Sequence, residues 1–178
     1  LPAFLFGLRQ AEDAAAKASW LRIVGTVRRM APFIAELAPS EDRQGVKLEW
    51  VDARGATFGP APLSDGTLRA IALIAALAQP AEGLPLVSCI DEPELGLHPA
   101  ALEMLCGHIS SVAARRQVIV GTQSPVVLDH FQAEDVVVAE RRDSATMLRR
   151  LDKAELSSWL EEYSLSELYD KNVLGGRP

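Results

Sequence analysis

Two apolar runs, each followed by polar residues, most constrain how this chain can fold. Residues 86–90 and 118–120 are almost entirely apolar, as expected for strands that are covered on both faces of a sheet. A helical pattern lies between them at 99–114, and further helical patterns lie at 66–78 and 125–130. Strands and helices that alternate in this order predict a central, mainly parallel sheet flanked by helices, hence an α/β fold.

The first third of the chain predicts an amino-terminal helix and a β-hairpin. Apolar residues recur at helical spacing over 12–30, and residues 33–37 are expected to add a further turn after Pro32. Apolar residues on both sides of a short turn at 52–55 predict an antiparallel hairpin. Beyond the sheet, the predicted elements are a strand at 135–139, a strand at 147–151, a helix at 153–163 and a tail without order at 172–176.

Length and composition limit the class of protein. A chain of 178 residues with 48% hydrophobic residues can bury one compact core, and its net charge of −6 gives no overall attraction to nucleic acid or an anionic membrane. Cys89 and Cys106 lie in apolar stretches without metal-ligand spacing, so we expect reduced core thiols in a cytoplasmic protein. Residues 1–6 are apolar but too short to span a bilayer, and they resemble the cut edge of a longer protein.

The sharpest chemical signal is a pair of carboxylates at the end of the first apolar run. Asp91 and Glu92 follow that run directly, and Pro93 comes next. In open α/β sheets the carboxyl ends of the strands border the crevice where ligands bind, so this pair is a candidate for chemistry. An acid pair in this position can also cap the next helix or face solvent, and the pair alone does not decide between these interpretations.

The residues around the pair carry a family resemblance. The run Ile-Asp-Glu-Pro-Glu-Leu-Gly-Leu-His-Pro at 90–99 resembles the Walker B and D-loop segments of ABC-type ATPases of the RecF, SMC and OLD group. The resemblance implies that Asp91 holds Mg²⁺ through water and that Glu92 polarises the water that attacks ATP. His98 is expected to begin the following helix and to bind no metal.

A second segment of the same family precedes the acid pair. Leu-Ser-Asp-Gly-Thr-Leu-Arg at 63–69 resembles the ABC signature sequence, with Ser-Asp-Gly in place of the more usual Ser-Gly-Gly. The resemblance implies that Ser64 and Gly66 contact nucleotide held by a second head, since the hydroxyl and free amides of a helix start form an anion site. Ser64 as an N-cap and Asp65 as a partner of the helix dipole give a purely structural reason for the same residues.

A third segment follows the second apolar run. Val-Ile-Val-Gly-Thr-Gln-Ser-Pro at 118–125 resembles the switch segment of the family, often Thr-His-Ser-Pro, with Gln123 at the histidine position. A glutamine amide can donate a hydrogen bond to a γ-phosphate or to water, but it cannot carry a proton as imidazole does. Gln123 is therefore a candidate catalytic residue. Its amide is compatible with nucleotide binding, but it does not predict whether hydrolysis is fast or slow. A polar turn capped by Ser124 is the structural alternative.

The resemblance covers residues 63–178 well and implies a partial P-loop NTPase fold of the ABC-head type, with 1–178 as its carboxyl-terminal lobe. No Gly-x-x-x-x-Gly-Lys-Ser/Thr occurs in the sequence. We expect an amino-terminal lobe of the complete protein to supply the P-loop, and this chain alone to bind ATP weakly and to hydrolyse none.

The resemblance also implies cofactors and partners. The implied cofactors are ATP and Mg²⁺, and the implied partners are the P-loop lobe and a second head that dimerises through nucleotide. DNA is a further candidate by resemblance to repair and defence ATPases, although the paired arginines at 115–116, 141–142 and 149–150 also suit solvated faces. No membrane partner is expected.

Three other functions compete with ATP hydrolysis by a dimeric head. A nucleotide-gated binding or scaffolding module with little or no hydrolysis is favoured by Gln123. A nuclease-linked ATPase of the OLD kind needs a further acidic metal-binding domain, for which we expect no room after the last strand. A serine hydrolase has little support, because residues 121–124 lack the Gly-x-Ser-x-Gly turn.

Overall fold

The computed structural model of the protein describes residues 1–176, except for the side chain of Arg142. The chain divides into two compact units, Leu1–Val120 and a second from Gly121 onward. The elements up to this boundary are α1 (Pro2–Gln10), α2 (Ala14–Met30), β1 (Ile34–Leu37), β2 (Ser40–Asp42), β3 (Gly45–Lys47), β4 (Trp50–Asp52), β5 (Thr57–Phe58), α3 (Asp65–Leu77), β6 (Val87–Asp91), α4 (Pro99–Ala113) and β7 (Gln117–Gly121). The elements beyond it are α5 (Pro125–Leu128), a 3-10 turn (Ala133–Asp135), β8 (Val137–Arg142), β9 (Ala145–Arg150), α6 (Ser157–Leu160) and α7 (Leu165–Asp170).

The amphipathic pattern at the start of the chain forms helix α2. Asp13 caps this helix, and its carboxylate accepts a hydrogen bond of 2.8 Å from the amide of Ala16. The apolar side of α2 contacts β1, α3 and α4, so the helix predicted at 12–30 is confirmed. Within residues 1–176, every helix is too short or too polar to cross a membrane.

The helical turn expected at 33–37 is wrong, because this segment forms strand β1. Pro32 has no amide hydrogen with which to continue a helical ladder. Instead β1 pairs antiparallel with β4, where Leu37 lies opposite Trp50. β4 also pairs with β5, which confirms the hairpin predicted around 52–55 and completes a three-stranded sheet. β2 and β3 form a separate hairpin.

Helices and strands alternate in the second half of the first unit, which confirms the α/β class. α3, β6, α4 and β7 follow one another, and β6 and β7 are neighbours in one sheet. The amide of Gln117, at the start of β7, donates to the carbonyl of Leu86, just before β6, at 3.0 Å. The two strands therefore begin side by side and run parallel, as strands joined by a crossover helix do.

One face of these two strands is open, so the expectation that they are covered on both faces is wrong for this chain. Exposure alternates along both strands, the pattern of a sheet with one covered face. Leu86, Val87 and Ile119 are exposed, Leu86 to 77%. Cys89 is exposed and lies two residues from Val87, on the same face, so it is no core thiol. Cys106 in α4 is buried as predicted.

The second unit is built on an antiparallel hairpin. The strand predicted at 135–139 begins two residues later as β8 and pairs along its whole length with β9, not with the parallel strands. Asp143 and Ser144, between the strands, both have positive φ, at 48° and 66°. Two residues of this kind form the turn whose twist matches that of the flanking strands.

A small apolar core stabilises the second unit and orders the end of the described chain. Its buried members are Ala133, Val138, Leu151, Leu165, Leu168 and Leu174. The tail at 172–176, expected to lack order, is fixed by this core, since Leu174 is 1% exposed and the amide of Gly176 donates to Glu140 at 3.1 Å. The helix predicted at 153–163 is limited to the four residues of α6.

A hydrogen bond between buried Thr26 and half-buried His108 joins α2 to α4 in the first unit. Thr26 is 1% exposed, and its hydroxyl lies 3.0 Å from Nε2 of His108. Burial lowers the pKa of His108 below its usual 6.5, and the positive charges of Arg29 and Arg22 lower it further. The folded protein therefore favours neutral His108.

This depressed pKa makes stability depend on pH. The contribution of neutral His108 is complete above the unfolded-state pKa of about 6.5 and is lost as the pH falls below it, because the unfolded chain then binds a proton that the folded chain excludes. We expect the free energy of unfolding, measured with urea, to fall between about pH 7.5 and about pH 5.5. The fall should be smaller in His108→Gln, whose amide can still bond to Thr26. An equal fall in both proteins would contradict the assignment.

Candidate functional site

The acid pair lies at the carboxyl end of a strand, as the sequence predicts. Asp91 is the last residue of β6 and is exposed, and Glu92 follows it half-buried. Arg69, one turn into α3, donates from its guanidinium to the main-chain carbonyl of Asp91 at 2.5 Å. This hydrogen bond joins the helix of the signature segment to the end of the strand that carries the acids.

The backbone at Glu92 adopts an uncommon conformation. Its φ of 46° lies in the left-handed region, which costs a residue with a Cβ atom about 1–2 kcal/mol. Pro93 restricts the preceding residue further. Strained conformations of this kind collect at functional sites, where the surrounding structure holds them in place.

The D-loop segment forms two tight turns that lead from the acids into α4. The amide of Leu95 donates to the carbonyl of Glu92 at 3.3 Å, and that of Leu97 donates to Glu94 at 3.0 Å. His98 then caps α4, where its Nδ1 accepts from the amide of Ala100 at 3.3 Å, so the expected helix-start role of the histidine is confirmed. Residues 1–176 contain no cluster of three metal-ligating side chains.

Ser64 begins the helix of the signature segment. It is the N-cap of α3, and its Oγ accepts a hydrogen bond of 3.1 Å from the amide of Thr67. Ser64 and Asp65 are exposed, whereas Gly66 is buried. The capping role predicted as the structural alternative is therefore present, and it occupies the amide of Thr67 while the amides of Asp65 and Gly66 have no partners in their own helix.

Gly66 is buried because it touches the D-loop. A Cβ atom on Gly66 would lie 2.0 Å from the carbonyl oxygen of Gly96, and no real Cβ approaches so closely. Gly96 has a φ of 74°, so glycine is required on this side of the contact as well. The start of the signature helix and the turn after the acid pair therefore meet backbone to backbone.

The first unit thus brings together the two segments that resemble the ABC signature and Walker B. Two links do this, the contact of Gly66 with Gly96 and the hydrogen bond from Arg69 to Asp91. Sequence reasoning missed Arg69 as a member of the site, and it gave no partner for either glycine. The sequence signal for the contact between the two glycines was Gly66 itself, because a glycine at a helix start weakens the helix unless close packing requires it.

The segment at 118–125 that resembles the switch crosses the boundary of the two units, and Gln123 lies in the second unit. Gln123 is exposed in the loop between β7 and α5. In this loop the hydroxyl of Thr122 accepts from the amide of Ser124 at 2.9 Å. Ser124 occupies the N-cap position of α5, but its side chain makes no capping hydrogen bond, so the predicted capping role fails at that atom.

Solved structures with the same fold are head domains of SMC proteins. One, from work on ATP-driven dimerization and DNA-stimulated activation of SMC ATPases, is 17% identical with a TM-score of 0.60, over 82% of this chain and 91% of that chain. The Smc head domain of Pyrococcus furiosus, with an extended coiled coil and bound to the C-terminal domain of ScpA, is 17% identical with a TM-score of 0.63, over 82% of this chain and 37% of that one. An SmcHead bound to the C-winged helix domain of ScpA is 17% identical with a TM-score of 0.61, over 78% of this chain and 44% of that one.

These likenesses show the fold of the chain. The chain has the fold of an ABC/SMC-like P-loop ATPase head, and it spans less than half of the second and third of these structures. It belongs to the family described as "AAA domain, putative AbiEii toxin, Type IV TA system", whose model matches residues 25–129, more than half of the chain. No curated protein sequence matches the chain.

The glycine contact makes a test of the site geometry. Gly66→Ala places a Cβ atom against Gly96, so we expect it to lower the free energy of unfolding by about 1–3 kcal/mol, the usual cost of forcing extra atoms into a close contact. Gly107→Ala is the matched control, because Gly107 lies within α4 with nothing near its Cβ position and alanine should stabilise the helix by about 0.5–1 kcal/mol. The free energy of unfolding of both variants is measured by urea denaturation. Equal changes in the two variants would show that the contact between Gly66 and Gly96 is not tight.

Proposed function

We propose that this chain is the carboxyl-terminal lobe of an ABC-type ATPase head, which binds and hydrolyses ATP after joining a P-loop lobe. The observation that carries this proposal is the backbone contact between Gly66 and Gly96, since it holds the signature helix start beside the strand end with the acids. A fold shared with SMC ATPase heads supports nucleotide binding and hydrolysis in general.

In this proposal the two acids have different roles. Asp91 is exposed at the strand end and would hold Mg²⁺ through water. A single carboxylate suits this ion, which keeps several waters and takes its other ligands from substrate phosphates. Glu92, next along the chain and half-buried, would accept the proton of the water that attacks the γ-phosphate. The fixed backbone at Glu92 would orient its carboxylate for that step.

The start of α3 would bind the phosphates of ATP held by a second head. Its first amides point out of the helix, and the helix dipole favours an anion there. Ser64 is exposed at this end, so its hydroxyl can reach an incoming phosphate. Buried Gly66 brings the backbone close to the D-loop, which would couple the two ATP sites of a dimer.

Gln123 separates the main proposal from its alternative. As an exposed amide after β7 it would donate a hydrogen bond to the γ-phosphate or to the attacking water. It cannot take up a proton, which favours slow turnover. A nucleotide-gated binding or scaffolding module with little hydrolysis is therefore the second candidate, and the measured turnover of the complete head distinguishes the two.

Glu92 provides the direct test of the ATPase proposal. In the complete head, Glu92→Gln should lower kcat for ATP by at least about 100-fold, since it removes a general base. The same variant should accumulate as an ATP-bound dimer in size-exclusion chromatography. Glu103→Gln, on an exposed position of α4, is the control and should leave both properties unchanged. Normal turnover by Glu92→Gln would end the assignment of the base.

The open face of β6 and β7 is where we propose that the P-loop lobe docks. Its exposed apolar residues, Leu86, Val87 and Ile119, are costly to leave in water. Docking would cover them and Cys89 together, and it would give the parallel strands the second covered face that their sequence favours. By resemblance alone, DNA is a candidate ligand in this proposal. By resemblance alone, the proposed compartment is the cytoplasm.

The two cysteines report this docking. Cys89 is exposed, so a maleimide should modify it rapidly in this chain. Cys106 should stay unmodified, because burial and the charge of Glu94 raise the pKa of its thiol to about 11. When the polypeptide that carries the P-loop is present, we expect labelling of Cys89, followed by mass spectrometry, to slow by at least about tenfold, as burial suppresses thiol reactivity. Unchanged labelling in an assembled head would place the docking surface elsewhere.

A further inference from the structure

A groove in the first unit carries positive charge and lies outside the candidate nucleotide site. It has a volume of about 390 Å³ and lies between α2 and α4. Arg22 and Arg29, both exposed, line it from α2, two turns apart along one face. His108 of α4 and Arg115, just after α4, line the other side, and Leu84 is part of its apolar floor.

The groove is remote from the predicted ATP-binding segments. Its wall includes Leu77 and Ala78, at the carboxyl end of α3, whereas Ser64 begins that helix. A helix of 13 residues is about 20 Å long, so the length of α3 separates the two places. A ligand in the groove would therefore not be the nucleotide held by the signature segment.

The three arginines lack acidic partners. Among the residues that the structure describes, no ion pair involves any of them. Arg22 donates to the hydroxyl of Ser19 at 2.8 Å and to the carbonyl of Ala78 at 3.1 Å, and Arg29 donates only to a hydroxyl at 3.4 Å. The guanidinium of Arg115 makes no hydrogen bond within residues 1–176. Three cations thus face one cavity in a protein whose net charge is −6.

Two of these cations, Arg22 and Arg29, lie close enough to His108 to affect its pKa. The charges of Arg29 and Arg22 add to burial in lowering the pKa of His108, and no acid offsets them there. An anion that entered the groove would face Arg22 and Arg29 on α2 and Arg115 beyond α4. Such an anion would raise the pKa of His108 again, so the histidine ring reports binding.

We propose that this groove binds a small ligand bearing phosphate groups. The planar guanidinium matches phosphate oxygens with two parallel hydrogen bonds, and three arginines line this one groove. A groove of about 390 Å³ is in the range of small-molecule sites, and apolar residues such as Leu84 line it beside the arginines, so it suits such a ligand better than a duplex. The alternative is that the arginines only cap helix ends, as Arg22 does at Ala78.

The three histidines of the chain allow a direct experiment. The full chain is titrated with pyrophosphate, and the ring signals of His108 and His98 are followed by NMR, with sodium chloride at equal ionic strength as the reference. We expect a saturable shift of the His108 signal and a higher pKa of its ring. The His98 signal, at the D-loop end of α4, should not move.

Arg115 supplies the decisive variant, because its guanidinium supports no other part of the described structure. Arg115→Gln should weaken pyrophosphate binding by about tenfold, the value of one charge-assisted hydrogen bond. Its urea midpoint should match that of the unmodified chain. Arg54→Gln, at the exposed turn between β4 and β5, is the matched control and should bind pyrophosphate normally.

Three results would overturn the proposal. A shift of His108 that chloride reproduces would show screening alone. Normal pyrophosphate binding by Arg115→Gln would place the anion elsewhere. Binding of duplex DNA that depends on Arg115, without binding of pyrophosphate, would replace the small ligand by nucleic acid.

Discussion

The contact between Gly66 and Gly96 is the constraint on which the rest of the candidate site depends. A Cβ atom on Gly66 would lie 2.0 Å from the carbonyl oxygen of Gly96, so the two backbones are as close as main chains can be. This contact fixes the start of α3 against the turn that leads from β6 into α4. Because the hydrogen bond from Arg69 to Asp91 joins the same two segments, the helix start and the strand end form one rigid corner.

Sequence reasoning located the parts of this corner that local chemistry determines. A serine cap begins α3, and a histidine followed by Pro99 begins α4, so both helices start where their residues predict. The apolar run at 118–120 lies inside β7, as a strand with a polar loop after it should. The link between Arg69 and Asp91 was beyond reach, since nothing in either segment names a partner more than twenty residues away.

The predictions that proved wrong share one cause, because in each case contacts with residues distant in the sequence determine the structure. Residues 33–37 form a strand because β4 offers a hydrogen-bonding partner, whereas their own pattern favours a further helical turn. Leu174 is buried in the core of the second unit, although the glycines beside it are typical of a loose tail. Cys89 is exposed because no element within residues 1–176 covers that side of β6, and an apolar run cannot show whether its cover lies in the same polypeptide.

The sequence did not group the arginines of the groove, because they too come together only through contacts between distant residues. Arg22 and Arg29 lie on the polar side of α2, and Arg115 lies over eighty residues later. Only the packing of α2 against α4 brings them to one cavity. That packing includes the bond of Thr26 to His108, so a neutral histidine holds the two positive walls together.

Glu92 has the strained backbone of this corner and is also the proposed catalytic base. A residue with a Cβ atom in the left-handed region, before a proline, is disfavoured locally, and only the surrounding contacts can hold it there. The turn bond from Leu95 to Glu92, the glycine contact and the arginine at Asp91 supply that support within a few residues. The left-handed backbone of Glu92 lies four residues before Gly96, the residue that contacts Gly66. One short turn therefore carries both the proposed base and the contact with the start of α3.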